Sequence, residues 1–227
     1  MEEPILVRYS DDALKKEYVL ARLVRYNNRS RLQDESVAVH SFFVTLFTLR
    51  ILDDLSVVGM CDDKLRSDVL TRAILHDVGE VVTSDIPYDV KHSSSVITEE
   101  LTKMERHYLS RDWPISFDRC VRSNDELCHA ILKLADTYSV LQYCAHEMDL
   151  GNVSVEMREI YEDADGRCAF WLNKVNELAS KYVKREESES DENAEEQRIE
   201  ACNFANGAEM GQEAWHDIQE QLKEYRG

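Results

Sequence analysis

Two imidazoles and two carboxylates are the residues best suited to chemistry in this chain. His76 and Asp77 are adjacent, His40 lies upstream and Asp136 downstream. A ligand set of nitrogen and oxygen suits a borderline divalent ion such as Mn, Co, Fe, Ni or Zn better than it suits a thiolate-loving one, and such an ion points to hydrolysis. Neighbours on a regular helix point about 100° apart, so His76 and Asp77 serve one ion only near a helix end, where the backbone adjusts. Gly79, just beyond them, fits such an end, because glycine relaxes the chain at no steric cost.

The surroundings carry more weight than the dipeptide. From Val37 to Leu49 the chain is almost wholly apolar, and Phe43, Val44 and Phe47 are expected on the helical face of His40. A histidine in such a wall is either a metal ligand or a core residue bonded to a backbone carbonyl. From Asp125 to Met148, the residues Leu127, Ile131, Leu134, Tyr138, Leu141, Ala145 and Met148 recur at steps of four and three and mark one buried stripe of a long helix. Leu132, Val140 and Tyr143 form a second stripe around Asp136. An ionised carboxylate held there is costly unless an arginine or a metal compensates it. All four residues sit in helical, apolar settings, which favours the metal.

The order His40, then His76-Asp77, then Asp136 on successive helices resembles the HD-domain phosphohydrolases. Within that superfamily, the run LHDVGEVVTSDIPYDVK (Leu75 to Lys91) and the later LADTYSVLQYCAHEMDLGN (Leu134 to Asn152) are similar to the bacterial 5'-deoxynucleotidases. Arg25-Tyr26 followed by ESVAVHS (Glu35 to Ser41) stands where that family has its phosphate-binding arginine. The resemblance covers residues 10 to about 180, with three separated motifs in the right order.

This resemblance implies that His40, His76, Asp77 and Asp136 bind one divalent metal ion and that Glu80 is the catalytic glutamate. It implies that Asp85 touches the substrate and assists the chemistry. Arg25, Tyr26, Ile86, Pro87 and Tyr88 would line the substrate pocket, where His40, Asp77 and Asp136 also face the nucleotide. Glu80 follows His76 by four positions, so on a continuing helix its carboxylate comes near the metal-held water; a solvated surface glutamate is the plainer alternative. Asp85 is otherwise an ordinary turn residue before Pro87. Arg22, Arg25, Arg29 and Arg31 form a basic island in a chain of formal net charge -18, and a guanidinium grips phosphate through paired hydrogen bonds. Tyr26 departs from the tryptophan usual in the family. It keeps an aromatic wall and adds a hydroxyl able to bond a ribose 2'-OH, so the motif does not fix deoxyribose selectivity.

The reaction implied is release of the 5'-phosphate from deoxynucleoside monophosphates. Cleavage of deoxynucleoside triphosphates to triphosphate uses the same ligands and would need further cations, for which Arg29 or Lys91 are the candidates. A non-catalytic nucleotide-binding module is the third reading.

The elements that must position these groups are helices. Seven glycines and three prolines in 227 residues leave long periodic segments with short polar breaks, the pattern of an all-α fold and here an HD-domain helical bundle with its metal site between helices. Helices are expected near 11–25, 36–52, 65–80, 96–110, 125–149 and 154–183. Residues 1–184 form the phosphohydrolase domain, 185–207 an acidic linker, and 208–227 a short amphipathic helix carrying Ala214, Trp215, Ile218 and Leu222. Cys61, Cys120, Cys128, Cys144, Cys168 and Cys202 lack metal-binding spacing and read as free thiols. His92, close to the Asp85 loop, is near enough to reach substrate, and His107, His129, His146 and His216 read as surface or packing residues. No run of eighteen apolar residues occurs, so a cytoplasmic protein with no membrane partner is expected. The acidic balance disfavours nucleic-acid polymers. The resemblance implies a homodimer.

Overall fold

The computed structural model describes residues 13–91, 93–123 and 125–187. His92, the acidic stretch beyond Glu187, Cys202, His216 and the C-terminal helix expected over 208–227 lie outside the described residues. Within them the fold is all-α, as the periodicity predicts, and nine helices follow one another: α1 (Ala13–Glu17), α2 (Val37–Val57), α3 (Asp63–Leu75), α4 (Glu80–Thr83), α5 (Tyr88–Lys91), α6 (Ser95–Asp112), α7 (Pro114–Arg122), α8 (Glu126–Asp149) and α9 (Val155–Glu187).

Side-chain caps start the long helices. Ser36 accepts from the Val39 N–H, Asp62 from Leu65, Ser94 from Val96, and Asp125 from both Leu127 and Cys128. Each cap satisfies donors that the first turn leaves free. Helix α8 is the centre of the bundle, packed between α9 and α2, with α3 resting on α2. At one end Leu52, Leu55, Leu65, Val69, Leu127, Ile131 and Val175 form a dry cluster; at the other, Val140, Leu141, Cys144, Met157, Tyr161 and Ala164 form a second. A third, around Leu20, Val37, Leu75, Val78 and Tyr108, seats the N-terminal segment on α6. Glu17 fixes that seat by accepting from the Tyr108 hydroxyl (2.7 Å) and the Trp113 indole N–H (3.1 Å).

Five expectations change. The helix expected over 11–25 is the single turn α1 followed by a 3-10 turn, Tyr18–Ala21, and Arg25 lies beyond it in an irregular loop. There the chain folds back on itself through an antiparallel bridge between Val24 and Ser36, with Arg25 N–H donating to Glu35 C=O at 2.8 Å. The helix expected over 65–80 stops at Leu75, and the next residues turn more tightly, with N–H groups reaching back three positions at Val78, Glu80, Val81 and Val82. Helix α7 went unanticipated, because its nine residues with one proline gave too short a pattern; Pro114 stands in its first turn, where a missing N–H costs nothing. Phe43, expected on the covered face of His40, is 43% exposed, while Val44 is fully buried. The last helix runs to Glu187, past the expected end at 183. The cysteines within the described residues are free, as anticipated. No described helix is long and apolar enough to cross a membrane.

Candidate active site

His40 sits in the first turns of α2, His76 and Asp77 in the tight turn after α3, and Asp136 midway along α8. Packing of α2 against both α3 and α8 brings the three elements together. Ligand atoms of His40, His76 and Asp136 all lie within 4.8 Å of one another. Asp77 joins them: its Oδ2 is 3.1 Å from His76 Nε2 and 3.6 Å from His40 Nε2. Asp136 Oδ1 stands 3.2 Å from His40 Nε2. Residues drawn from separate motifs thus converge on one point, as the ligand reading requires.

The donor atoms are arranged as a metal would need them. His76 Nδ1 lies 2.7 Å from the Ala73 carbonyl and so carries a proton there; burial opposes the charged ring, but the Asp77 charge and contact raise its pKa to about 9, so a cation binding at Nε2 would displace a proton. His40 Nδ1 is 3.2 Å from the Ser139 hydroxyl. Both Nε2 atoms are buried without a hydrogen-bond partner. Buried polar atoms rarely go unpaired, and these two nitrogens beside the Asp77 and Asp136 carboxylates form a donor set that fits a divalent cation. The core-histidine alternative for His40 requires a backbone carbonyl, whereas its Nδ1 meets the Ser139 hydroxyl and its Nε2 lies beside Asp136. Burial, then the Arg25 charge, lowers the His40 pKa to about 4, so its imidazole is neutral at neutral pH. Asp136 is held well below the carboxylate range: burial opposes ionisation, and the His40 contact with the Lys133 charge outweighs it. Its direct cationic neighbour is Lys133, at 3.4 Å, in place of the arginine considered as an alternative.

Above this cluster Arg25 points its guanidinium inward. Nη1 is 3.6 Å from Asp77 Oδ2 and Nε is 3.6 Å from Glu35 Oε2. Both Arg25 Nε and Glu35 Oε2 are buried without a hydrogen bond, so the group is near its acids without being saturated by them. Tyr26 has a positive φ of 54°, and its ring stacks flat on Tyr143 with centroids 4.9 Å apart.

Glu80 opens α4, and its Oε2 is buried and unpartnered. Burial foremost, then the charges of Asp77 and Asp85, pushes its pKa up to about 8. Asp85, in the loop between α4 and α5, is also raised, by burial first; the Tyr26 N–H and the charges of Arg25 and Lys91 oppose the shift. Ile86 and Pro87 are half-buried in the same loop, entered through Ser84 at φ 64°. Tyr88 begins α5, and its side chain lies outside the described parts. Among the described residues the two non-glycine positions with positive φ, Tyr26 and Ser84, therefore flank the site.

Gly79 has a different task from the one its position suggested. Its φ of −60° is ordinary helical geometry. A Cβ there would lie 2.6 Å from Glu105 Cβ, so the glycine is needed because α6 passes against the turn. Two buried acids around the Arg25 loop, Glu35 and Glu147, were missed. Glu35 gave no signal of its own within ESVAVHS. Glu147 did: Asp136, Val140, Tyr143 and Glu147 follow steps of four, three and four, so the stripe around Asp136 reaches it when carried one turn further.

The sequence model of the family described as 5'-deoxynucleotidase YfbR-like matches residues 17–186. The chain is 30% identical over 91 residues to a 5'-deoxynucleotidase of Pectobacterium atrosepticum, an alignment taking in 35% of this chain and spanning only 45% of that relative's length. In three dimensions it is similar to an HD-domain phosphohydrolase of Listeria innocua, with TM-score 0.58 and 24% identity over 76% of this chain and 84% of that one. It is also similar to the HD phosphohydrolase of cyanophage S-2L, solved with dA and one catalytic zinc ion, with TM-score 0.51 and 13% identity over 77% and 99% of the two chains. At these identities the structural likeness establishes the HD-domain helical fold. A family match running from Glu17 to Glu186 takes in every element that brings a residue to the His40, His76, Asp77 and Asp136 cluster, and the chain belongs to the YfbR-like 5'-deoxynucleotidase family of HD-domain hydrolases.

Proposed function

We propose that the protein is a metal-dependent 5'-nucleotidase that releases phosphate from deoxynucleoside 5'-monophosphates. The observation that carries this reading is the pair of buried, unpartnered Nε2 atoms of His40 and His76, set among the Asp77 and Asp136 carboxylates beneath the Arg25 guanidinium. His40, His76, Asp77 and Asp136 would hold one divalent ion, which supplies Lewis acidity and a bound water acidic enough to ionise near neutral pH.

The chain's own groups do the rest. Arg25 grips the phosphate and faces the charge that builds on its equatorial oxygens. Glu80, raised to about 8, accepts one proton from the attacking water as the new P–O bond forms. The bond between phosphorus and the 5'-oxygen breaks, and Asp85, raised into a more readily protonated state, supplies the proton that the leaving oxygen takes up. Ile86 and Pro87 exclude water beside the sugar, and Tyr26 offers that side an aromatic edge.

Lys91 favours a monophosphate over a triphosphate substrate. Its Nζ is 3.1 Å from Glu105 Oε1, so it is already engaged with a carboxylate on α6. The test is product-resolved. Chelated protein is reloaded with Mn or Co and given each deoxynucleoside mono- and triphosphate and the matching ribonucleotides. Phosphate and nucleoside from the monophosphates, lost in Glu80→Ala while metal binding persists, support the assignment. Inorganic triphosphate from the triphosphates, or nucleotide binding without turnover under any metal, overturns it.

A further inference from the structure

We infer that Glu147, at the far end of α8, is a positioning residue that sets the phosphate-holding loop, acting on Arg25 without touching metal or substrate. The inference rests on the proposed role of Arg25.

Glu147 is fully buried. Its Oε1 accepts from the Gln33 N–H at 2.7 Å, and its Oε2 accepts from the Leu32 N–H at 2.7 Å and the Asn152 amide at 2.8 Å. Those backbone donors are 114 and 115 residues away in sequence. An ionised carboxylate removed from water needs such donors, and short charge-assisted bonds fix their carriers in place. Tyr143 on α8 and Asn152 in the loop just after it add further grips: the Tyr143 hydroxyl donates to Gln33 C=O at 2.9 Å, and Asn152 Nδ2 also donates to Ser30 C=O at 3.0 Å.

The clamp lies two residues from the site. Glu35 follows Gln33 by two positions; its carbonyl accepts the Arg25 N–H at 2.8 Å and its carboxylate lies 3.6 Å from Arg25 Nε. The adjacent Tyr26 holds its positive φ with its ring stacked on Tyr143, one turn before Glu147. A strained residue of this kind persists only where its surroundings over-determine it. Helix α8 therefore does two jobs on one face: Asp136 faces the metal cluster, and Glu147, three turns on, anchors the loop that aims Arg25 at the same cluster.

Glu147→Gln tests this, because each oxygen meets a backbone N–H and the new NH2 would face a donor. Four proteins are compared: wild type, Glu147→Gln, Arg25→Ala and the double variant. The expected result is a KM for deoxynucleoside monophosphate raised about tenfold by Glu147→Gln in the wild-type background and less than about twofold in the Arg25→Ala background, with Mn affinity unchanged. Amide exchange followed by NMR should quicken at Arg25, Leu32 and Gln33. Equal KM factors in both backgrounds, or unchanged exchange at Arg25, overturn the inference. Exchange needs no substrate, so a wild type that turns over no monophosphate sinks the functional reading while the Arg25 amide still decides the clamp. Asn152→Ala, which removes one donor and keeps the carboxylate, gives the same ordering with a smaller effect and serves if Glu147→Gln does not fold.

Discussion

In the proposed reaction Arg25 holds the phosphate and Glu80 takes the proton, and the two roles separate in kinetics. Removing a guanidinium that hydrogen-bonds an anion costs about 1.5–3 kcal/mol, so Arg25→Ala should raise KM for the nucleotide by roughly ten- to hundredfold; an unchanged KM would remove Arg25 from the phosphate site. Glu80→Gln should lower kcat by about 100-fold or more, the usual worth of a placed general base, with metal affinity kept. The sign of the pH dependence follows from the active form. Glu80 works as a carboxylate, and its pKa stands raised from 4.5 to about 8 by burial and the nearby acids. A bound dication draws it back down, so in the loaded enzyme kcat should fall toward acid along a limb lying between those two values, and residual turnover in Glu80→Gln should lack that limb. Glu35 gives a separate reading on stability. Burial foremost, with Asp85 and Asp77 adding and Arg25 opposing, raises it from 4.5 to about 7. A carboxyl with a raised folded value stabilises the fold fully below its unfolded pKa and loses that contribution as pH rises through the folded one. In chelated protein, the Tm of wild type relative to Glu35→Gln should therefore decline between about pH 5 and about pH 8; a constant or rising difference would contradict the burial of this acid.

The connection from α3 to α4 is where the chain's local geometry and its chemistry meet. Its three-residue turns let adjacent His76 and Asp77 both face the cluster, which a regular helix would prevent. Helix α6 closes over that turn at Gly79, and Glu105 on α6 also receives Thr83 (3.2 Å) and Lys91 (3.1 Å). Gly79→Ala carries no backbone penalty at its helical φ, so its effect isolates the contact with α6. We expect a loss of about 1–3 kcal/mol, the range for overpacking a closed interior, measured by denaturant unfolding with metal present. A neutral result would mean that α6 moves aside without cost.

At the scale of the whole molecule, the His40, His76, Asp77 and Asp136 cluster links α2, the α3 turn and α8, so an ion bound there should hold the bundle together. A ligand that binds only the folded state adds about 2.7 kcal/mol at 100 times its Kd. Chelated wild type should melt lower than the protein reloaded with Mn or Co, and Asp136→Ala should show little of that rise. Equal metal-induced shifts in wild type and Asp136→Ala would place the ion elsewhere.

The sequence by itself determined the helical class and the long central helix α8, because periodicity is a local property printed along the chain, and it singled out His40, His76, Asp77 and Asp136, which the fold brings together. Motif order likewise pointed to Arg25 and Glu80. Only the tertiary structure decided where α3 stops, why position 79 is glycine, and that Glu35 and Glu147 support the arginine loop. Those features depend on atoms far apart in sequence: α6 crossing a turn, and a carboxylate meeting N–H groups more than a hundred residues away. Periodicity shows which face of a helix is buried, and packing alone decides what that face meets.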